Sequence, residues 1–184
     1  MKKLNSLLWL ANIEILYGSL NPASSIEEVL NSKKAQTISG PKGSVPGTLR
    51  VPSDDEMKNY FNTAGAAGYD LDKTHWCGIF QTYLLVKAGV ACHWGREIVD
   101  DSGGRDLEIV KGSEAQKGLA VGDIVRIHRQ EHHFMVIDPV VKGSIRSFEG
   151  NAGGLKHRLL AANWMGNMAH NVVEDIYIRY RVIG

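Results

Sequence analysis

The chain has 184 residues, 43% of them hydrophobic, with a formal net charge of +1 and a mean hydropathy of −0.17. This is enough for one domain with a substantial core, and the balance is that of an ordinary soluble globular protein. A charge near zero with no Lys/Arg run gives no case for nucleic acid, and no stretch approaches the roughly 20 apolar residues that would insert stably across a membrane.

Met1-Lys2-Lys3 followed by Leu7-Leu8-Trp9-Leu10-Ala11 begins like a secretory signal. The apolar run then breaks at Asn12 and Glu14, with no small-x-small cleavage site after it. Leu4, Leu8, Ala11 and Ile15 fit one face of an uncleaved amphipathic helix instead. Gly18 to Ser25 is a turn-rich break, after which Ser24 or Ser25 can cap a short helix through Ile26 to Leu30. Residues 35–50, with Gly40, Pro41, Gly43, Pro46 and Gly47, read as a loop and a candidate lining for a substrate groove. Ser53-Asp54-Asp55-Glu56 is a capping box that opens a helix through Met57, Tyr60 and Phe61. Asp54 and Asp55 are then first-turn charges favoured by the helix dipole. Residues 65–73 connect to the next helix.

Cys77 stands where an apolar helical pattern starts. Ile79, Phe80, Tyr83, Leu84 and Ala88 recur as one buried stripe, and Thr74 is the expected N-cap. A first-turn thiol feels the positive end of the helix dipole, which favours the nucleophilic thiolate. The plain alternative is a buried core cysteine. The second cysteine, Cys92, falls just past the helix end. About 15 residues of helix put the two thiols on the order of 20 Å apart, so both are expected to be free. Residues 95–120 are polar, contain Gly103-Gly104, and read as an excursion or lid.

Val121 to Ile127 and His132 to Asp138 read as the two strands of a hairpin, with Gly122-Asp123 in the turn that opens it. A histidine at the start of the second strand can take the thiol proton and return it to a leaving amine. Strand alternation sends His132 and His133 to opposite faces, so only one of them is expected to face Cys77. Ser144 to Asn151 reads as the next strand. Glu149 and Asn151, on one face of it, are both candidates to hold the second N–H of the imidazole. Residues 152–171 read as a long loop, and Ile176 to Ile183 as the last strand.

Zinc at His75, Cys77, Cys92 and His93 is disfavoured, because the first two diverge on a helix and four converging ligands are needed. His128, His132 and His133 lack a carboxylate pair to complete a metal site, and His157 and His170 are expected at the surface. Trp76 and Trp164 are either core residues or a groove wall for a sugar ring or peptide stem. Helices first and antiparallel strands last indicate an α+β domain over residues 1–184, helical over 1–70, with the catalytic core over 71–184.

The order Trp76-Cys77, Gly122-Asp123, His132-His133, Glu149-Gly150-Asn151 resembles the CHAP amidase/peptidase family within the NlpC-type, papain-like group, over roughly residues 70 to 183. His132 stands where that family usually has a small glycine. The resemblance implies a papain-like domain with N-terminal helices packed on a C-terminal antiparallel sheet. It also implies an amide hydrolase of peptidoglycan that needs no metal or cofactor, cutting a muramoyl–alanine, stem-peptide or cross-bridge bond. Cys77 is then the nucleophile, His133 the proton shuttle, and Glu149 or Asn151 the residue that orients it. A small amidase of this kind without a signal peptide resembles a type VI secretion effector, exported to act at the wall of a target cell and opposed by an immunity protein. A phage-type lysin, a cysteine protease or transamidase acting on protein, and a non-catalytic binding module of the same fold are the alternatives.

Overall fold

A computed structural model describes residues 2–17, 36–38, 47–50, 52–128, 131–137, 145–152, 159–165 and 171–184. Its helices are α1 (Lys2–Tyr17), α2 (Asp54–Thr63) and α3 (Cys77–Lys87). Its strands are β1 (Gln36–Ile38), β2 (Gly47–Arg50), β3 (Cys92–Trp94), β4 (Ile98–Asp100), β5 (Leu107–Lys111), β6 (Ile124–Ile127), β7 (His133–Val136), β8 (Ile145–Ala152), β9 (Leu159–Met165) and β10 (Ile176–Val182). Eight strands form one sheet in the order β1-β2-β9-β8-β7-β6-β10-β5, and β3 and β4 make a separate small hairpin. Every described pairing is antiparallel, so the domain is α+β.

α2 begins as its sequence dictates. The Ser53 hydroxyl accepts from Glu56 N–H at 3.2 Å, and the Glu56 carboxylate accepts from Ser53 N–H at 2.6 Å. Met57, Tyr60 and Phe61 then share the buried face. α1 buries Leu7, Ala11 and Ile13. It also buries Glu14, whose carboxylate accepts from the hydroxyls of Tyr60 (2.8 Å) and Tyr83 (2.7 Å). Two phenol donors on two helices compensate for taking that carboxylate out of water.

α3 is the central helix. Rather than one stripe, every residue from Cys77 to Leu85 is buried, because α1 and α2 cover the sides that the sheet does not. Tyr60, Trp76, Phe80, Tyr83 and Phe148 join in a ring cluster at its start, with Phe80 edge-on to Phe148 at 5.4 Å. The sheet is covered on both faces at its centre. Met135 and Phe148 belong to the core under α3, and Val125, Phe134, Val136 and Ile145 to a second core on the other side. This explains why β6 and β7 read as continuous apolar runs.

Three expectations change. Residues 36–38 and 47–50 are strands β1 and β2, attached to β9, so the part before residue 70 is not purely helical. Residues 159–165 are a strand between β2 and β8, not a loop. The 95–120 stretch carries β4 and β5, and β5 pairs along β10 at the sheet edge, so it is not a lid. The expected helix at 26–30, the loop positions 39–46, His157 and His170 lie outside the described residues. Among the described residues, no helix is long and apolar enough to cross a membrane.

Candidate active site

The site begins where α3 begins. Trp76, not Thr74, is the N-cap, and no side chain caps the helix. The first intrahelical bond runs from Phe80 N–H to the Trp76 carbonyl, at 2.9 Å. The N–H groups of Cys77, Gly78 and Ile79 therefore have no acceptor within the helix. They gather at the thiol with the positive end of the dipole. Cys77 is buried, at 5% exposure.

Two glycines let other groups approach this turn. A Cβ on Gly78 would lie 2.2 Å from the Trp94 ring and 3.1 Å from His133 Nδ1. A Cβ on Gly150 would lie 2.6 Å from the Trp76 ring and 2.9 Å from Phe80 Cβ. Neither position has room for a side chain, so the β3 hairpin and β8 can both close on the helix start.

The hairpin carries both histidines to the thiol. His133 is the first residue of β7, opposite Arg126, and shares the helix-facing side with Met135. Its Nδ1 is 4.0 Å from Cys77 Sγ. His132 lies one residue outside the strand, after Glu131 at φ +49°. It is not bound by strand alternation, and it also acts electrostatically on the Cys77 thiol. The direct sulfur contact is that of His133, as expected, while His132 adds a second influence on the thiol.

Each imidazole rests on its own carboxylate. His132 Nε2 is 2.5 Å from Glu149 Oε2, and both side chains are nearly buried. Glu149 Oε1 also accepts from the Ser147 hydroxyl at 3.3 Å. His133 Nε2 is 3.2 Å from Glu97 Oε2. The same oxygen accepts from the Tyr180 hydroxyl at 2.8 Å, and the other Glu97 oxygen is paired with the Arg126 guanidinium. Glu149 thus holds an imidazole, but His132 rather than His133. Asn151 holds neither. A register shift in β8 follows Glu149, Asn151 adopts φ +61°, and its amide nitrogen lies 3.2 Å from His75 Nδ1.

The electrostatics follow from these contacts. Burial pushes the Cys77 thiol up, but hydrogen bonding and charge from His132 and His133 outweigh it and hold the thiol at about 5. Burial pushes His132 down, but Cys77 and Glu149 raise it to about 10. His133 is held below the ordinary imidazole value by burial, which its contact with Cys77 does not overcome, and by the charges of Arg126 and His132. The resting site is a thiolate–imidazolium pair with a second, neutral imidazole beside it.

Glu97, Arg126, Tyr180 and Trp94 were not legible as site residues. Trp94 stands edge-on to His133, with ring centres 5.5 Å apart. The one sequence signal for this hairpin is Trp94, a large aromatic residue before Gly95 in an otherwise polar stretch. Trp76 is a core residue, fully buried and packed on Tyr60 and Phe80. The Trp164 side chain lies outside the described residues. Cys77 and Cys92 are both free thiols. Cys92 and His93 sit in β3, where His93 Nδ1 pairs with Asp101 at 2.9 Å. Among the described residues, no three His, Cys, Asp or Glu side chains are grouped to hold a metal ion. Compared with protein-family models, curated proteins and solved structures, the chain matches none.

Proposed function

We propose that this protein is a cysteine amidase or peptidase of CHAP type, with a papain-like arrangement, acting on an amide bond of peptidoglycan. The observation that carries the reading is a buried thiol at the start of a helix, held at about 5 by imidazoles that rest on carboxylates. An ordinary structural cysteine has no use for that set of neighbours.

In this reaction the Cys77 thiolate attacks the amide carbonyl carbon. The unpaired N–H groups of the first turn of α3 receive the developing oxyanion. An imidazolium N–H protonates the leaving nitrogen as the C–N bond breaks, which leaves an acyl-thioester. Water then attacks the thioester, giving its proton to the imidazole and releasing the acid and the thiolate. The resemblance, taken by itself, assigns the proton carrier to His133. Peptidoglycan as substrate, a muramoyl–alanine or peptide bond as target, and a role as an exported antibacterial effector with an immunity protein also rest on that resemblance.

The test is digestion of purified cell wall, with the products identified by mass spectrometry. Release of fragments with a new amine and a new carboxyl end, absent with Cys77→Ala, is the expected result. Wall left intact by the wild type, with cleavage of a protein substrate instead, would replace the wall amidase with a protease.

A further inference from the structure

Two imidazoles converge on one thiol, and the carboxylates behind them are not equivalent. Glu97 is already compensated, because the Arg126 guanidinium pairs with one of its oxygens and the Tyr180 hydroxyl donates to the other. It has no need of a cationic histidine. Glu149 is nearly buried, and among the described residues its charged partner is His132, with the Ser147 hydroxyl as a neutral donor. A carboxylate that far from water must be matched by a cation or be protonated. At 2.5 Å from Glu149, and adjacent in the chain to the His133 that touches the sulfur, His132 is placed to be that cation. His133 Nδ1 lies 4.0 Å from the sulfur, but no uncompensated negative charge beyond the thiolate favours a proton on it.

We infer that His132, on Glu149, is the imidazole that takes the Cys77 proton and delivers it to the leaving amine, while His133, on Glu97, is a neutral positioning residue. The inference rests on the reading of the site as a cysteine hydrolase. The thiol proton moves to His132, the His132 N–H proton goes to the departing nitrogen, and the deacylating water restores it. His133 donates its Nε2–H to Glu97, and its ring, wedged between Gly78 and Trp94, fixes one wall of the thiol's seat. The charged and titratable groups facing this cluster are Glu97 from the turn between β3 and β4, Arg126 from β6, Glu149 from β8 and Tyr180 from β10. Glu131 lies beyond, on Arg126.

The test reads the thiol and the reaction separately. Iodoacetamide alkylation of Cys77 is followed against pH, and wall hydrolysis is measured on the same variants. His132→Ala should carry the acid limb of alkylation up toward an ordinary thiol, slow labelling at pH 6 by on the order of 10-fold once the greater nucleophilicity of a more basic thiolate is counted, and abolish hydrolysis. Glu149→Gln should move the limb the same way and serves if His132→Ala does not fold, as judged by circular dichroism. His133→Ala should move the limb by less than either of these while lowering hydrolysis. A limb that moves with His133→Ala, and stays put with both His132→Ala and Glu149→Gln, overturns the inference. A wild type that shows the His132-dependent limb yet cleaves no wall amide supports the proton assignment and removes the proposed substrate instead.

Discussion

The two cysteines of this chain are buried to nearly the same degree, 5% for Cys77 and 8% for Cys92, yet their thiols are opposite in character. Cys77 is held at about 5 and Cys92 is pushed up to about 12. Burial raises both. At Cys92 nothing opposes it, and the charges of Asp101, Asp100 and Asp106 add to it. At Cys77 two imidazoles reverse it. Desolvation therefore sets only the stakes, and the sign of the neighbouring charge decides whether a buried thiol is inert or a nucleophile.

The largest expected difference between the two is in turnover. Cys77→Ala should lower wall hydrolysis by on the order of 10³-fold or more, because no covalent route remains. Cys92→Ser should retain it. A Cys77→Ala protein that digests wall at the wild-type rate would dissolve the contrast altogether.

Alkylation comes next. At pH 7 the thiolate fractions differ by about 10⁵, but a less basic thiolate is less nucleophilic and returns on the order of 10³ of that. Cys77 should therefore label roughly 100-fold faster in the folded protein. Because its folded value is depressed, its labelling should hold from neutral pH down and then fall as pH drops through about 5. Cys92, with its value raised, should label appreciably only as pH climbs toward about 12. Equal rates, measured by mass spectrometry of the two peptides, would mean that the histidines do not act on Cys77.

Gly78→Ala tests the packing that makes one environment and leaves the other alone. A Cβ 2.2 Å from the Trp94 ring forces the hairpin away from the helix start. The expected loss is about 1–3 kcal/mol of stability in urea melts, with slower Cys77 labelling and unchanged Cys92 labelling. Adding Trp94→Leu should recover part of the stability. If Gly78→Ala melts like the wild type, the close approach of Trp94 is not a feature of the protein in solution. The smallest effect belongs to Ser53→Ala. Loss of the α2 cap should cost about 1 kcal/mol without changing the labelling ratio of the two thiols.

The patterns that could be read from residues alone are those set by near neighbours. The capping box at Ser53 and Glu56, the start of a helix at Cys77, the hairpin from Ile124 to Val136 and the last strand from Ile176 depend on backbone preferences and periodicity within a few positions. β9 escaped because its Ala161 and Ala162 are small, and a strand buried between β2 and β8 need not alternate. β5 escaped because an edge strand with exposed Glu108 and Ile109 resembles a polar loop.

At the site, Cys77 as a helix-start thiol and Glu149 as a histidine partner were legible. The pairing of Glu149 with His132 was not, nor was Glu97. Alternation assigns faces only inside a regular strand, and His132 lies just outside one, after a left-handed residue. Glu97 reaches His133 across 36 positions, because β3 and β4 fold back over the start of α3 where Gly78 leaves room. Local sequence thus determined which groups could do the chemistry. Long-range packing decided which imidazole meets which carboxylate, because a charge is assigned by what lies within a few ångströms in space, whatever its distance along the chain.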